Sequence, residues 1–457
     1  MTDESGSTSS APREGSLDAP TRHPLGWQEM DFFDEAKLDE ELRRVFDICH
    51  GCRRCFNLCD SFPRLFDLID ESDSGELDTV DSKDFKPVVD ACTLCDMCFM
   101  VKCPYVPPHE FDLDFPHLML RYRAMEFKQG KTPFVHRQIC QTDRNAKIAG
   151  PVAGLVNWAT KTGNALTRRL MEIIAGIHRD ADLPAYRRPT LVEEKTHPQV
   201  NKDAPGHGRK VAVFATCFAN YNAPSIGAAA LEVLALNGVE TEIVYPGCCG
   251  MPQLEGGDLK AVADQARTIS AAFKQWIAKG YGVVALVPSC ALMMKFEWPL
   301  ILPDDENVKA LAKATFDITE YVVGISRKEG LAPGMSPLPG GVSLHLACHA
   351  RAQNMGPMGA EMLRLIPDTE IAVIERCSGH GGSWGIFTEN FPIALKVGKP
   401  VARSAKKNEK AHLASECPLA GAHVVQGMEK LEENGAEVSP SRHPIELMAL
   451  AYGWNGD

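Results

Sequence analysis

The sequence predicts an α+β multidomain protein, in which a helical, cysteine-rich domain is followed by two α/β modules. Two observations lead to this prediction. Two runs of closely spaced cysteines lie between stretches whose apolar residues recur at helical spacing. From residue 210 onward, short β-branched runs alternate with helical stretches, and the whole alternation occurs twice. A length of 457 residues is ample for roughly three domains.

The two cysteine runs share one spacing, C-x2-C-x2-C followed by a fourth cysteine, as in "CHGCRRCFNLC" and "CTLCDMCFMVKC". This spacing is typical of a loop that wraps an iron–sulfur cubane. Two such runs form a two-cluster ferredoxin signature, in which the fourth cysteine of each run binds the other cluster. The pattern therefore predicts two [4Fe-4S] clusters. Their ligand sets are Cys49, Cys52, Cys55 and Cys103 for one cluster, and Cys92, Cys95, Cys98 and Cys59 for the other.

Both runs depart from the usual pattern at the fourth cysteine. Four residues separate Cys98 from Cys103, where three are commoner, and Cys59 is followed by Asp60 rather than by proline. The alternative to iron–sulfur clusters is one or two structural zinc ions, which also take thiolate ligands. Disulfides are a poor explanation, because cysteines this close would cross-link almost nothing of the chain.

Composition excludes several classes of function. A formal net charge of −12 and the lack of a basic run argue against nucleic-acid binding. No stretch approaches the ~18 apolar residues that a membrane span needs. The chain holds 16 cysteines and its N-terminus lacks the apolar core of an export signal. Such thiols indicate a reducing compartment, so we expect a cytoplasmic protein, free or peripheral on the inner face of the membrane.

Composition and periodicity divide the chain into five parts. A disordered tail rich in serine, proline, glycine and acidic residues precedes a helical ferredoxin domain, a helical connector and the two modules. The predicted bounds are 1–30, 31–125, 126–205, 206–330 and 331–457. Within the connector, residues 145–179 are weakly amphipathic with a basic end. We expect this segment to pack on its own protein rather than on a membrane surface or a partner.

Each module places cysteines where its predicted strands end. The intervals between them are 31 and 41 residues in the first copy, and 29 and 40 in the second. Ligands of open α/β sheets gather outside the carboxyl ends of the strands, so these thiols are expected to converge. The alternative is a set of buried structural cysteines. The candidate ligands are Cys217, Cys248, Cys249 and Cys290 in the first module, and Cys348, Cys377 and Cys417 in the second.

The Cys248-Cys249 pair followed by Gly250 indicates a multi-iron cluster contacted at two irons, since adjacent residues seldom ligate one ion. "YPGCCGMP", with "VPSCALMMK" after it, resembles the CCG, or cysteine-rich, domain. Two such domains behind a two-cluster ferredoxin resemble the iron–sulfur proteins of anaerobic glycerol-3-phosphate dehydrogenase, glycolate oxidase and lactate utilisation. They also resemble components of heterodisulfide reductase.

The full CCG pattern has five thiols, and both modules depart from it. Val287 stands at the missing place in the first module, and Ser378 and Ala420 stand there in the second. The resemblance implies a further iron–sulfur cluster in the first module. Three thiolates leave an incomplete shell in the second, which binds a cluster completed by another side chain, a three-iron cluster, or nothing. The side chains that could complete the shell are His345, His349, His380, Ser378 and Glu416.

The resemblance implies an electron-transfer subunit. Its electrons would come from a flavin-containing dehydrogenase partner of glycerol-3-phosphate, glycolate or lactate type, and would leave for quinone, a membrane anchor or another acceptor. One alternative is a disulfide or thiol reductase acting at the CCG crevice, and another is a zinc-holding scaffold. The chain has no G-x-G-x-x-G after a strand and no Walker motif, so we expect it to bind neither flavin nor ATP itself.

Overall fold

The computed structural model describes residues 19–194, 197–431 and 438–456. The fold class predicted from sequence is confirmed, because a helical N-terminal part is followed by two small parallel sheets with their helices. Residues 1–18 of the predicted tail lie outside the described residues. No helix in the described part of the chain combines the length and the apolar character that crossing a bilayer requires.

The N-terminal part contains four α-helices, and the cysteine runs lie at the end of the first helix and in the long loops between the helices. The first helix follows the predicted periodicity, since Leu38, Leu42, Val45 and Phe46 form its buried face. The Asp34 carboxylate caps it by accepting hydrogen bonds from two backbone N–H groups of the first turn. The four helices are α1 (Glu35–Cys52), α2 (Ser61–Asp70), α3 (Lys86–Asp90) and α4 (Phe115–Lys128).

Residues 21–30 form an N-terminal arm that packs on the rest of the molecule. The Leu25 N–H donates to the Leu300 carbonyl at 2.9 Å, and the Trp27 indole N–H donates to the Ile301 carbonyl at 2.9 Å. The prediction of a disordered tail over residues 1–30 is therefore wrong for the arm. Composition does not reveal such an arm, because the arm is held by individual side chains such as Trp27 and Arg22.

The connector contains five short helices: α5 (Phe134–Ile139), α6 (Thr142–Ala149), α7 (Ala153–Thr160), α8 (Ala165–Ala175) and α9 (Leu191–Glu194). In α7, whose residues are all described, no side chain is buried, and Arg168 is the buried residue of α8. The expectation that this amphipathic segment packs on its own protein holds for part of it, since Ala146, Ala149 and Ile177 are buried. The large apolar side chains of α7 and α8 face outward instead.

The first module contains a four-stranded parallel sheet of β1 (Lys210–Phe214), β2 (Glu240–Val244), β3 (Gly282–Ala285) and β4 (Thr315–Asp317). The strand order is β2-β1-β3-β4. The second strand therefore lies on one side of β1, and the third and fourth strands are added on its other side. Helices cover both faces, as a parallel sheet requires. They are α10 (Cys217–Tyr221), α11 (Pro224–Leu236), α12 (Met251–Glu255), α13 (Leu259–Ala278), α14 (Pro288–Leu292), α15 (Trp298–Ile301), α16 (Glu306–Ala314) and α17 (Ile318–Lys328).

The second module repeats this arrangement with three parallel strands, β5 (Val342–His345), β6 (Ile371–Ile374) and β7 (His412–Ser415). Their order is β6-β5-β7, so the first strand of the module is again central. The helices are α18 (Cys348–Arg351), α19 (Met358–Leu363), α20 (Phe391–Lys407), α21 (Pro418–Glu429) and α22 (Pro444–Ala451). The repeat seen in the sequence is thus a repeat of structure.

The cysteine-rich helices pack directly on the first module. One hydrophobic cluster contains Phe46 and Leu120 from the N-terminal helices together with Leu292 and Trp298 from the first module. All four are almost fully buried. This shared core holds the predicted ferredoxin cysteines in a fixed position relative to the strand ends of the modules.

Candidate metal centres

The structure brings together Cys49, Cys52, Cys55 and Cys103. The first three lie at the end of α1 and in the turn that follows it. Burial raises the pKa of Cys49, and the nearby thiols of Cys103, Cys55 and Cys52 raise it further, because their negative charges would repel. Burial and the neighbouring thiols of Cys103 and Cys52 raise the pKa of Cys55 to about 12, although the positive charge of Lys102 opposes this rise. Cys103 therefore lies with the first run, as the predicted exchange of fourth ligands requires.

The structure likewise places Cys59 with the second run. Burial raises the pKa of Cys59, and Cys95 and Cys92 raise it further. Burial raises the pKa of Cys98 as well, with smaller contributions from four thiols of both runs. Those four are Cys95, Cys92, Cys55 and Cys59. The contribution of Cys55 to Cys98 shows that the two groups of thiols are neighbours.

The extra residue between Cys98 and Cys103 is accommodated by a π-helical turn over Cys98–Lys102. The Cys103 N–H donates to the Cys98 carbonyl at 2.8 Å, across five residues instead of four. Within the same run, Leu94 and Asp96 adopt left-handed backbone conformations, with φ of 48° and 62°. These turns let a longer loop return its last thiol to the first group.

In the first module four thiols meet at the carboxyl edge of the sheet. The Sγ atoms of Cys217 and Cys248 lie 3.8 Å apart. Hydrogen bonding with Cys217 and Cys249 lowers the pKa of Cys248, and the same interactions raise the pKa values of Cys217 and Cys249. Cys290 also raises the pKa of Cys249. The residues predicted from the strand ends therefore converge.

Gly250 and Asp143 shape the loop that carries the Cys248-Cys249 pair. Gly250 has a φ of 88°, and a Cβ there would lie 2.5 Å from the Gln265 amide oxygen. Its N–H donates to the Cys248 Sγ at 3.5 Å. From α6, the Asp143 carboxylate accepts the Cys248 N–H at 2.8 Å. Sequence reasoning missed Asp143, since nothing in its local pattern points to a loop 105 residues away.

The three thiols of the second module form a group of their own that also includes a ferredoxin cysteine. Burial raises the pKa of Cys348, and Cys95, Cys377 and Cys417 raise it further. Burial and Cys377 likewise raise the pKa of Cys95 to about 12. Cys95 of the second ferredoxin run thus lies near the thiols of the second module.

Three of the five side chains proposed to complete the second module's shell are engaged elsewhere. The His345 ring nitrogens lie 2.9 Å from the Ser415 Oγ and 3.0 Å from the Arg376 carbonyl oxygen. The Glu416 carboxylate accepts from two backbone N–H groups, at 3.0 and 3.2 Å. His349 contacts the Ser289 Oγ at 2.8 Å and the Leu94 carbonyl oxygen at 3.3 Å. These contacts hold the loops together.

His380 is differently placed. Its Nε2 is buried and finds no hydrogen-bond partner among the described residues. Burial lowers its pKa to about 3, with a further contribution from His423, so the ring is neutral and has a free lone pair. Ser378, the fifth candidate, accepts a hydrogen bond from the His380 backbone N–H at 3.4 Å. His380 is therefore the candidate whose ring nitrogen is not engaged by another described residue.

Cys140 lies away from these groups, in the connector. It lines a cavity of about 280 Å³ together with Phe134 and Gln253. Burial, with smaller contributions from Glu255 and Asp258, raises the pKa of Cys140 to about 12. The lining of this cavity does not include the cysteines of the modules or of the two runs, so the cavity and the thiol groups are separate features.

The four groups of thiols follow one another through the molecule. Cys55 and Cys98 connect the two ferredoxin groups. Cys95 and Cys348 connect the second ferredoxin group to the second module. Burial raises the pKa of Cys417, and Cys290 of the first module also raises it, so the two modules face each other. The thiols of the second module are therefore neighbours both of the second ferredoxin group and of the first module's thiols.

The chemistry of these donors fits iron–sulfur clusters. Burial raises the pKa of most of these thiols and mutual repulsion raises several of them further, so cationic iron would hold them as thiolates. Cys248 is the exception, because hydrogen bonds lower its pKa. Among the described residues, no group of three or more His, Cys, Asp or Glu side chains is arranged to hold a single metal ion. The number and type of clusters stay predictions.

Comparison with known proteins agrees with this geometry. The CCG, or cysteine-rich, domain family matches residues 211–295 and 342–424, which contain both sets of strand-end cysteines. Lactate utilization protein A of Bacillus pumilus is 30% identical over 186 residues, which are 39% of this chain and 75% of that protein. The chain belongs to the CCG cysteine-rich family. Its membership confirms the resemblance found in the sequence.

Two other relatives of this CCG protein are parts of different oxidoreductases. One is a subunit of the anaerobic glycerol-3-phosphate dehydrogenase of Escherichia coli K12, which is 26% identical over 319 residues, covering 68% of this chain and 76% of that protein. The other is a subunit of the CoM/CoB fumarate reductase of Methanothermobacter marburgensis, which is 26% identical over 251 residues, covering 54% and 47%. The relatives of this chain therefore include subunits of several oxidoreductases.

Proposed function

We propose that this CCG protein is an iron–sulfur electron-transfer subunit. It would take single electrons from a flavin-containing dehydrogenase partner and deliver them to quinone or another acceptor. The observation that carries the proposal is the proximity of successive thiol groups, at Cys55 and Cys98, at Cys95 and Cys348, and at Cys417 and Cys290. Its relatives in glycerol-3-phosphate dehydrogenase and fumarate reductase support it.

The proposed cofactors are two [4Fe-4S] clusters in the ferredoxin domain, one cluster in the first module and one in the second. The eight cysteines of the two runs would hold the first pair. Cys217, Cys248, Cys249 and Cys290 would hold the third, and Cys348, Cys377 and Cys417 with His380 would hold the fourth. Bound clusters supply one-electron redox chemistry at potentials that the surrounding protein sets.

The chain's own contribution is to fix the sulfur atoms and stabilise their charge. Backbone N–H groups of Tyr105 and Gly379 donate to the Sγ atoms of Cys103 and Cys377, both at 3.4 Å. Such N–H···S bonds favour the more negative, reduced state and raise the potential. The positive charge of Lys102 beside Cys55 acts in the same direction.

The order of the groups sets the sequence of steps in the proposed route, and the position proposed for the donor sets its direction. Electrons would enter at the first ferredoxin group, which contains Cys49, and reach the second module before the first. The sequence alone favoured no order between the modules. We propose that the partner dehydrogenase docks near the first group and that the acceptor is reduced at the crevice between the modules.

A disulfide or thiol reductase acting at that crevice is the second candidate. Glu255 favours it, because burial raises the pKa of this carboxyl group to about 7. Glu255 is also close enough to Cys417 to raise the pKa of that thiol. A carboxylic acid that is half protonated near neutral pH could protonate a leaving thiolate.

One experiment on the anaerobically purified full chain separates these candidates. Iron and acid-labile sulfide are counted, the protein is reduced with a low-potential one-electron donor, and reoxidation is followed with a soluble quinone and with a small disulfide. We expect iron with matching sulfide, and rapid reoxidation by quinone. Zinc without sulfide would refute the proposal, and turnover of the disulfide but not of quinone would establish the reductase instead.

A further inference from the structure

The connector exposes two stripes of large apolar side chains. The first runs from the end of α6 through α7, where Ile148, Val152, Leu155 and Trp158 are 67%, 50%, 64% and 59% exposed. Their spacings of four, three and three residues place them on one side of the segment. Side chains of this size are normally buried, and a contiguous exposed patch of them indicates an interaction surface.

The second stripe lies on α8. Leu166, Leu170, Ile173 and Ile174 are 81%, 55%, 72% and 69% exposed. They also recur at helical spacing along one face. Helices α7 and α8 are consecutive and contact each other, so the two stripes belong to one helical hairpin. We call residues 144–174 the basic hairpin.

Charge on the basic hairpin is opposite to that of the whole protein. Residues 144–174 contain five basic residues and one acidic residue, Glu172, in a chain whose net charge is −12. Glu172 is itself paired with Arg179, which neutralises it. The exposed cations among the five are Arg144, Lys147, Lys161 and Arg169. They flank the apolar stripes and form a local cationic surface.

The hairpin is fixed to the second module at its base. Arg168 is buried and donates to the carbonyl oxygens of His178 at 2.7 Å and Arg179 at 2.9 Å. The Thr388 N–H donates to the Gly176 carbonyl at 2.8 Å, beyond α8. Thr388 belongs to the same loop as Cys377, so the hairpin's orientation is tied to the second module's cysteine crevice.

We infer that the basic hairpin lies on the surface of an anionic lipid bilayer, with both apolar stripes inserted among the acyl chains and the cations at the headgroups. An apolar face rich in leucine, isoleucine and tryptophan beside lysine and arginine is the pattern of interfacial helices. Tryptophan is enriched at that depth, and polybasic segments are attracted to anionic leaflets. A protein partner carrying acidic residues is the alternative occupant, and the vesicle experiment below distinguishes it from lipid.

This inference rests on the proposed function only for its purpose, which is delivery of electrons to an acceptor held in the membrane. Lipid binding itself is a property of the hairpin. Lipid binding can therefore be measured on the full chain without any electron donor or acceptor. A chain that does not bind lipid could still transfer electrons, and a chain that does not transfer electrons could still bind lipid.

The test is co-sedimentation of the full chain with vesicles of phosphatidylcholine alone or with about 30% phosphatidylglycerol. We expect binding to the anionic vesicles, weakened at high salt, and at least about tenfold weaker binding to the neutral ones. The double variant L170E/I173E and the double variant K161E/R169E should each lose about tenfold or more in affinity. Matched controls are Met30→Glu, at a 94% exposed apolar residue outside the hairpin, and Lys260→Glu, at an exposed lysine of α13.

All of these variants lie on the surface, so the fold should survive them. Circular dichroism and the visible absorbance of the clusters should match the wild type. Failure of the wild-type protein to bind anionic vesicles would overturn the inference, as would equal losses in the Met30→Glu control. Purification of the wild type as a stable dimer or heteromer that L170E/I173E dissociates, without vesicle binding, would establish a protein interface instead.

Discussion

Arg22 and Asp96 form a buried ion pair, in which the Arg22 Nη2 lies 2.7 Å from the Asp96 Oδ1. The same guanidinium contacts Asp114 at 2.9 Å and Glu297 at 3.1 Å, and it lies over the Phe99 ring at 4.3 Å. Asp96 stands between two predicted cluster ligands, and Glu297 belongs to the first module. One side chain of the N-terminal arm therefore joins the second cysteine run to that module.

Removal of the Arg22 guanidinium is expected to destabilise the protein strongly. Arg22→Ala would leave three carboxylates in a buried site with one fewer cation, which costs about 3–5 kcal/mol when a buried pair is broken. Thermal unfolding of the anaerobic, cluster-loaded protein measures this. Lys260→Ala, which removes an exposed ion pair with Asp264, is the matched control and should change little. Equal unfolding temperatures for the two variants would contradict the prediction.

His117 is expected to make stability depend on pH on the alkaline side. Burial and Arg22 lower its pKa, but Asp114 and Glu297 outweigh them, and its pKa is raised. The charged ring therefore stabilises the fold fully below the unfolded value of about 6.5, and this contribution disappears as pH rises through the folded pKa. Each unit of pKa increase corresponds to about 1.4 kcal/mol.

The measurement is the unfolding temperature between pH 6 and 9. The wild type should lose stability across this range, whereas His117→Gln, which cannot be protonated, should start lower and change less. Parallel curves for the two proteins would show that another group titrates.

The exchange of fourth ligands can be tested by matching spectra. Cys103→Ala should remove the same paramagnetic signal as Cys52→Ala, and Cys59→Ala the same signal as Cys95→Ala. Each substitution should cost up to about four iron atoms per chain, the content of one cubane. Cys140→Ala is the control that should keep all the iron. If Cys59→Ala instead removed the signal lost in Cys52→Ala, the two runs would each hold their own cluster.

His380 is expected to contribute to the second module's centre. His380→Ala should alter the signal that Cys348→Ser abolishes, because a neutral imidazole nitrogen is a good iron ligand. His412→Ala, at the start of β7, is the control and should leave every signal unchanged. An unaltered second-module signal in His380→Ala would exclude this ligand.

The cysteine spacing carried most of the predictive information about the site. C-x2-C-x2-C fixes three thiols within one turn, so the two ferredoxin groups followed from local geometry. The strand-end cysteines followed from the rule that loops after parallel strands share one edge. The repeated intervals predicted two copies of one module, which the two sheets confirm.

Contacts between distant parts of the chain could not be predicted. Nothing near Cys95 indicates that it faces Cys348, since that approach depends on how the helical part packs on the modules. The partners of His345 and His349 are likewise tertiary. For residues 145–179, amphipathic periodicity predicted an apolar face correctly, but periodicity does not say whether that face meets the protein's own core or the outside.

The N-terminal arm also has a consequence for biosynthesis. Glu297 is made long after Arg22, so the arm cannot take its final place until the ribosome has completed most of the first module. Cys92 and Cys98 are buried once it has done so. We therefore expect the cellular proteins that insert iron–sulfur clusters to act on a folding intermediate in which the arm is not yet bound. Binding of the arm would then be the step that completes maturation.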